Sequence, residues 1–247
     1  MKNYFYILFL MVQVALAQDA FKEGNQNYQN EHYQEAITNY ESILASGKQA
    51  PEVYFNLGNC YYKLHKIAPS IYNYEKALVL HPNDAEIQTN LDFARKMTID
   101  DIKIVPKVGF AKLLEDITST YHYDGWAWIA IILAFVFLGF FAGYYYANAT
   151  QIKRVFFSGM FVVLFMIIWS LFAALYEKNR IAEDRPAIVF ADVAPVRGEP
   201  KISAPESIIL HEGTKVYVLE QIANWKKVQL TDESTGWIQE DAIKELK

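Results

Sequence analysis

The stretch PEVYFNLGNCYYKLHKIAPSIYNYEKALVLHPND, residues 51–84, decides the reading of this chain. Laid over residues 17–50 at an offset of 34, it repeats nine residues. The pairs are Phe21/Phe55, Gly24/Gly58, Asn25/Asn59, Tyr28/Tyr62, Ile37/Ile71, Asn39/Asn73, Tyr40/Tyr74, Glu41/Glu75 and Leu44/Leu78. Ordinary residue usage would give roughly two. Self-similarity at such a period means stacked copies of one supersecondary unit. In each copy the glycine lets two helices approach closely, and the tyrosines fill the gap between them. Pro82 ends the second helix of the second copy. Asn83 and Glu86 can cap a further helix over 85–97, where Ile87, Leu91 and Ala94 recur at helical spacing.

The second copy resembles the tetratricopeptide repeat. Tyr54, Leu57, Gly58, Tyr61, Tyr74, Ala77 and Pro82 stand where that family carries its defining residues. Ser70 departs from the usual alanine, which the first copy keeps as Ala36. The resemblance implies an all-α array over 18–98: units 18–50 and 51–84, closed by the helix 85–97. That is the smallest stable array. It also implies a peptide-binding groove lined by the first helices, at Asn25, Tyr28, Gln29, Phe55, Asn59, Tyr62, Lys63, Thr89, Phe93 and Lys96. Asn25 and Asn59 match the asparagines of the family's carboxylate clamp, but Phe21, Thr89 and Phe93 replace its basic residues. The expected groove is therefore aromatic and weakly polar, unless these rings pack on the neighbouring connector instead. Cys60, the single cysteine, reads as a small buried filler or as a reactive thiol. One cysteine excludes a disulfide framework and a Cys-based zinc site.

Beyond the repeat the composition is uneven. Hydrophobic residues make up 53% of the 247, yet residues 125–152 and 155–176 contain no Asp, Glu, Lys or Arg at all. Two such runs predict spanning helices over 126–146 and 155–175, each about 31 Å long at 1.5 Å per residue. The short loop 147–154 makes them an antiparallel hairpin, and its Lys153 and Arg154 suit a cytoplasmic loop. Neither helix carries an ionisable group of the kind that ion pathways use, which favours an anchor over a transporter. Gly139 and Gly143 form a G-x-x-x-G close-packing face, for a partner helix or within the hairpin. In the connector 99–125, Ile102, Ile104 and Val108 read as extended chain around Pro106. Phe110, Leu113, Leu114 and Ile117 form one helical stripe. That stripe suits a membrane surface or a soluble docking face. Tyr121, Tyr123, Trp126 and Trp128 form an interfacial aromatic belt.

At the N-terminus, Lys2, an apolar run over 4–16 and Ala15-Leu16-Ala17 read as a signal peptide over 1–17, or as an uncleaved anchor. Export places the repeat and the C-terminal region in the periplasm, held by a multi-pass inner-membrane anchor.

Residues 183–247 alternate short β-rich runs with Gly, Asn and Asp turns, which suits a small five-stranded barrel. Ala-Pro-Val-Arg (194–197), Leu-His-Glu-Gly-Thr-Lys-Val (210–216), Trp-Lys-Lys-Val (225–228) and Gly-Trp-Ile (236–238) resemble a bacterial SH3 domain. Relatives of that module often bind cell-wall peptide or glycan, which here implies a ligand face at Tyr217, Trp225 and Trp237. The barrel segment carries eight Lys/Arg against twelve Asp/Glu, so attraction to anionic polymers would not drive such binding.

No catalytic constellation is visible. His32, His65, His81, His122 and His211 are scattered without metal spacing, and there is no Walker loop or GxSxG. No cofactor is expected, and the net charge of −5 argues against nucleic acid. The order of parts resembles the BatE-type membrane proteins of the Bacteroidetes aerotolerance operon. That resemblance implies partners among membrane-bound von Willebrand A-domain proteins and a MoxR-type ATPase system. The expected architecture is thus a multidomain membrane protein: an all-α tetratricopeptide array, a two-helix transmembrane hairpin and an all-β SH3-like barrel. Its expected role is a non-enzymatic envelope scaffold or, alternatively, a peptidoglycan-binding tether.

Overall fold

The computed structural model describes residues 19–102 and 109–246. The signal peptide expected over 1–17 and the stretch around Pro106 expected to be extended fall on residues 1–18 and 103–108, outside the described residues. The chain divides into two compact units. One joins Met1–Val105 with Arg185–Lys247, and the other is Pro106–Asp184.

In the first unit, α1 (residues 19–29), α2 (Tyr33–Ala45), α3 (Pro51–Lys63), α4 (Ile67–Leu80) and α5 (Ala85–Arg95) form an all-helical tetratricopeptide-like region. The inner glycine is necessary in each pair. A Cβ on Gly24 would lie 2.6 Å from the Tyr40 ring, and one on Gly58 would lie 2.6 Å from Tyr74. Both tyrosines are buried at 1% exposure, so each ring occupies the space a side chain would need. Ser70 keeps a polar group in this packing because its hydroxyl donates to the Gly58 carbonyl at 3.0 Å. Asp84 caps α5 by accepting from the Glu86 and Ile87 amides, which otherwise have no helical partner.

The C-terminal region is an antiparallel sheet with seven strands: β1 (Pro186–Val189), β2 (Val193–Arg197), β3 (Glu206–His211), β4 (Lys215–Ile222), β5 (Trp225–Gln229), β6 (Thr235–Gln239) and β7 (Ile243–Glu245). Their order is β3-β2-β6-β5-β4-β1-β7. The closed five-stranded barrel expected from sequence is therefore replaced by an open ladder with β3 and β7 at its ends. Pro195 hides β2 from a propensity reading, since proline cannot donate to a ladder. β7 has only three residues. The sheet is nonetheless strongly curled. Ala194, Leu210, Val216, Val228, Ile238 and Ile243, drawn from six strands, share one buried cluster. In a flat sheet of seven strands the outer ones would stand roughly 29 Å apart.

The sheet packs on the repeat. Ile188 and Leu246 are buried in the same cluster as Ile71, Tyr74, Ala77 and Leu91. Tyr72 meets Phe190 edge-on at 5.6 Å, and the Lys244 ammonium lies 4.4 Å above the Tyr72 ring. Tyr72 Oη donates to the Glu245 carbonyl and Lys76 Nζ to that of Leu246. The turn at Gly213 has φ +87°, and a Cβ there would lie 2.8 Å from both Ile67 and Thr98. Glycine is thus required twice at that point, by backbone conformation and by space.

In the second unit, α6 (Phe110–Thr118) precedes α7 (Tyr123–Tyr146) and α8 (Thr150–Glu183). Both long helices are apolar enough to cross a membrane, and only 11% and 17% of their most apolar stretches is buried within the protein. The core helices of a soluble protein would be mostly covered. α8 starts at Thr150, so Lys153 and Arg154 lie in its first turns rather than in a loop. The helices touch closely where a Cβ on Gly143 would meet Phe156 and one on Gly159 would meet Phe140. A Cβ on Gly139 would meet nothing. Within the hairpin the close approaches are thus at Gly143 and, on the facing helix, at Gly159, while Gly139 is left open.

Candidate protein-binding groove

One hydrogen-bonded node recurs in the repeat. Tyr40 Oη donates to Asn25 Oδ1 at 2.7 Å, and Asn56 Nδ2 donates to the same oxygen at 3.1 Å. One period later, Tyr74 Oη donates to Asn59 Oδ1 at 2.7 Å, and Asn90 Nδ2 joins it at 3.1 Å. Burial pushes both tyrosine hydroxyls well above their ordinary pKa, so they stay protonated as donors. Each asparagine ties the two helices of its unit to the first helix of the next. Asn25 and Asn59 therefore hold units together through their carbonyl oxygens. A second link repeats on the same period. Tyr61 Oη donates to Glu41 at 2.7 Å, and Arg95 to Glu75 at 2.7 Å. Asn56 and Asn90 were missed from sequence, although their spacing of 34 extends the repeat into α5.

The other groove positions separate by exposure. Phe55 is half-buried against Tyr74, with ring centroids 6.0 Å apart. Tyr62 packs against the same cluster, and Tyr28 meets Tyr33 edge-on at 5.4 Å. Gln29, Lys63, Thr89, Phe93 and Lys96 are exposed. The Thr89 hydroxyl donates to the Ala85 carbonyl of its own helix. Phe93 is 49% exposed, and the Lys96 ammonium lies 5.0 Å from its ring centre. An exposed aromatic beside a cation can take an apolar residue and a carboxylate of a bound segment together. Cys60 is fully buried, and burial pushes its thiol up to about 12, which makes it an inert filler rather than a nucleophile.

On the sheet, register places Tyr217, Trp225 and Trp237 on one face: Tyr217 pairs with Gln229, Trp225 with Gln239 and Trp237 with Lys227. They are not brought to one site. Trp237 is buried at 8% exposure. Only Trp225 borders a cavity of about 240 Å³, which Val193, Pro195, Ile202 and Asp241 also line.

The repeat is matched independently.

Residues 51–84 match the tetratricopeptide repeat family. No curated protein matches the chain. The match covers α3 and α4, the pair whose α4 carries the sheet, and the repeat so identified is a protein-interaction module.

Proposed function

We propose that the protein is a non-enzymatic, membrane-anchored scaffold that holds a protein segment on the exposed surface of α3 and α5. One observation carries this reading. The sheet packs on α4, while Lys63, Phe93 and Lys96 remain exposed on the first-helix side. The two apolar helices supply the anchor. Because repeat and sheet pack into one unit, they must lie on the same side of any membrane that the hairpin crosses. The export signal read from residues 1–17 makes that side the periplasm. The resemblance of the order of parts to BatE-type proteins supports a role in an aerotolerance or envelope-stress complex, with von Willebrand A-domain proteins and a MoxR-type ATPase system as the proposed partners. The C-terminal sheet, by its motifs, is the SH3-like member of that arrangement.

Photo-cross-linking in native membranes from a probe at Lys63 tests the scaffold. Phe93→Ala combined with Lys96→Ala is expected to abolish capture, since truncating a hot-spot aromatic costs about 1–3 kcal/mol of binding. Both side chains are exposed, so far-ultraviolet circular dichroism should not change. Unchanged capture would remove the groove from the reading.

The cavity beside Trp225 favours a second reading, a tether that binds peptidoglycan through the sheet. Sedimentation of the full chain in detergent with wall material, lost on Trp225→Ala, is the outcome that reading requires. Absence of sedimentation leaves the scaffold alone.

A further inference from the structure

α6 presents an apolar face that the described residues of its unit leave largely exposed. Phe110, Leu113 and Ile117 are 78%, 55% and 41% exposed. On the other side of the helix, Lys112 pairs with Asp116 at 2.6 Å. A nine-residue helix with this much exposed apolar surface has a missing neighbour.

Three contacts fix where that neighbour lies. The Trp126 indole N–H at the start of α7 donates to the Thr118 carbonyl at the end of α6, at 2.8 Å. Tyr121 meets the Trp126 ring edge-on at 5.5 Å. Arg180 of α8 reaches Glu115 at 3.6 Å and Glu177 at 2.6 Å. Trp126 stands where the apolar run of α7 begins, and Arg180 stands five residues beyond Leu175, about 7.5 Å at 1.5 Å per residue. Both tethers therefore hold α6 level with the same end of the hairpin. Only residues 119–122 join α6 to α7, and four residues reach at most about 14 Å. The helix cannot leave the depth at which α7 enters the apolar layer. Trp128, two residues further along α7, is 65% exposed.

We infer that α6 is an interfacial helix that lies in the headgroup region of the bilayer, with Phe110, Leu113 and Ile117 inserted among the acyl chains. This rests on the reading of α7 and α8 as membrane-spanning. It adds a third contact with lipid, parallel to the surface, which fixes the rotation and height of the hairpin. Lys112 is outnumbered by Glu115 and Asp116, so insertion depends on apolar area and not on anionic lipid.

The test uses the full chain with Cys60→Ala in phosphatidylcholine vesicles. Single cysteines at Phe110, Lys112 and Phe135 carry an environment-sensitive fluorophore. Phe110→Cys should emit to the blue and be quenched by spin labels high on the acyl chain. Lys112→Cys should be quenched by aqueous iodide, and Phe135→Cys by labels deep in the bilayer. Replacing part of the lipid with phosphatidylglycerol should change none of these. Iodide quenching at Phe110, or a blue emission there that lipid labels do not quench, would overturn the interfacial helix while deep quenching at Phe135 left the anchor standing. Loss of deep quenching at Phe135 would overturn both.

Discussion

Asn59 shows what a single side chain does in this protein. Its carbonyl oxygen accepts from both Tyr74 and Asn90, so it closes a helix pair and attaches the next helix at once. Asn59→Ala leaves the hydroxyl of a buried tyrosine without its acceptor, and should destabilise the repeat by about 1–3 kcal/mol. Thermal unfolding followed at 222 nm reads this directly, and Gln29→Ala on the exposed surface should leave the midpoint unchanged. The sequence made Asn25 and Asn59 visible as a periodic pair, but family pattern alone could not separate a clamp from a structural node. The structural role comes from Asn56 and Asn90, which are 31 residues from the asparagines they bond. Asp100 is the other informative residue. It accepts from the His211 amide at 2.7 Å, from His211 Nδ1 at 2.7 Å and from the Thr214 hydroxyl at 2.6 Å. Burial works against its charge, but the hydrogen bonds from Thr214 and His211 outweigh it and hold its carboxyl below the ordinary value. Burial likewise opposes the charge of Glu245, and the bonds from Lys226 and Arg185 hold that group down too. A carboxyl with a depressed folded pKa contributes its full stabilisation above the unfolded value, near pH 4, and loses it as pH falls through the folded one. Protection of the repeat–sheet contact from proteolysis should therefore be constant from pH 7 to about 5 and decline below about 4. Asp100→Asn should weaken protection at pH 7 and flatten part of that decline.

At the scale of elements, legibility followed periodicity. The helices of the repeat and the two apolar helices each carry a strong regular signal, 34 residues in one case and an uncharged run in the other. The sheet has no comparable signal. Lys226 sits at 7% exposure between Val228 and Trp225, because Glu240 at 3.3 Å and Glu245 at 2.8 Å pair with it. An inward lysine breaks the alternation by which a strand is recognised, and its partners are remote in sequence. The sequence marks Gly213 as a turn but not what it meets: the turn fits against Ile67, Ile71 and Thr98. Gly213→Ala should lower the unfolding midpoint of the full chain in detergent by about 1–3 kcal/mol equivalent, through overpacking together with the positive φ.

For the whole molecule the revealing contact is Glu75. It is 6% exposed and pairs with Arg95 within the repeat at 2.7 Å and with Lys215 of the sheet at 2.8 Å. Two modules read as separate in sequence are therefore one folded body, and nothing local to α4 announces a partner 140 residues away. Removing residues 183–247 would strip Ile188 and Leu246 from the cluster that contains Ile71 and Tyr74. The truncated chain should lose partner capture through instability of the repeat, although the groove itself is untouched. A full-length chain with Lys215→Ala should retain capture and unfold at a lower temperature. Equal stability of truncated and full chains would contradict the shared core.

The discontinuity of that body also orders events in time. The helices up to Arg95 are made before the strands that complete their core. β7 ends 150 residues after Arg95, some 7–30 s of synthesis at ~5–20 residues per second. During that interval the face of α4 has no mate, and a hydrophobic hairpin must be delivered to the lipid before the mate arrives. The nascent repeat thus exposes apolar surface until those strands are made. The core of the repeat is complete only when those strands have joined it.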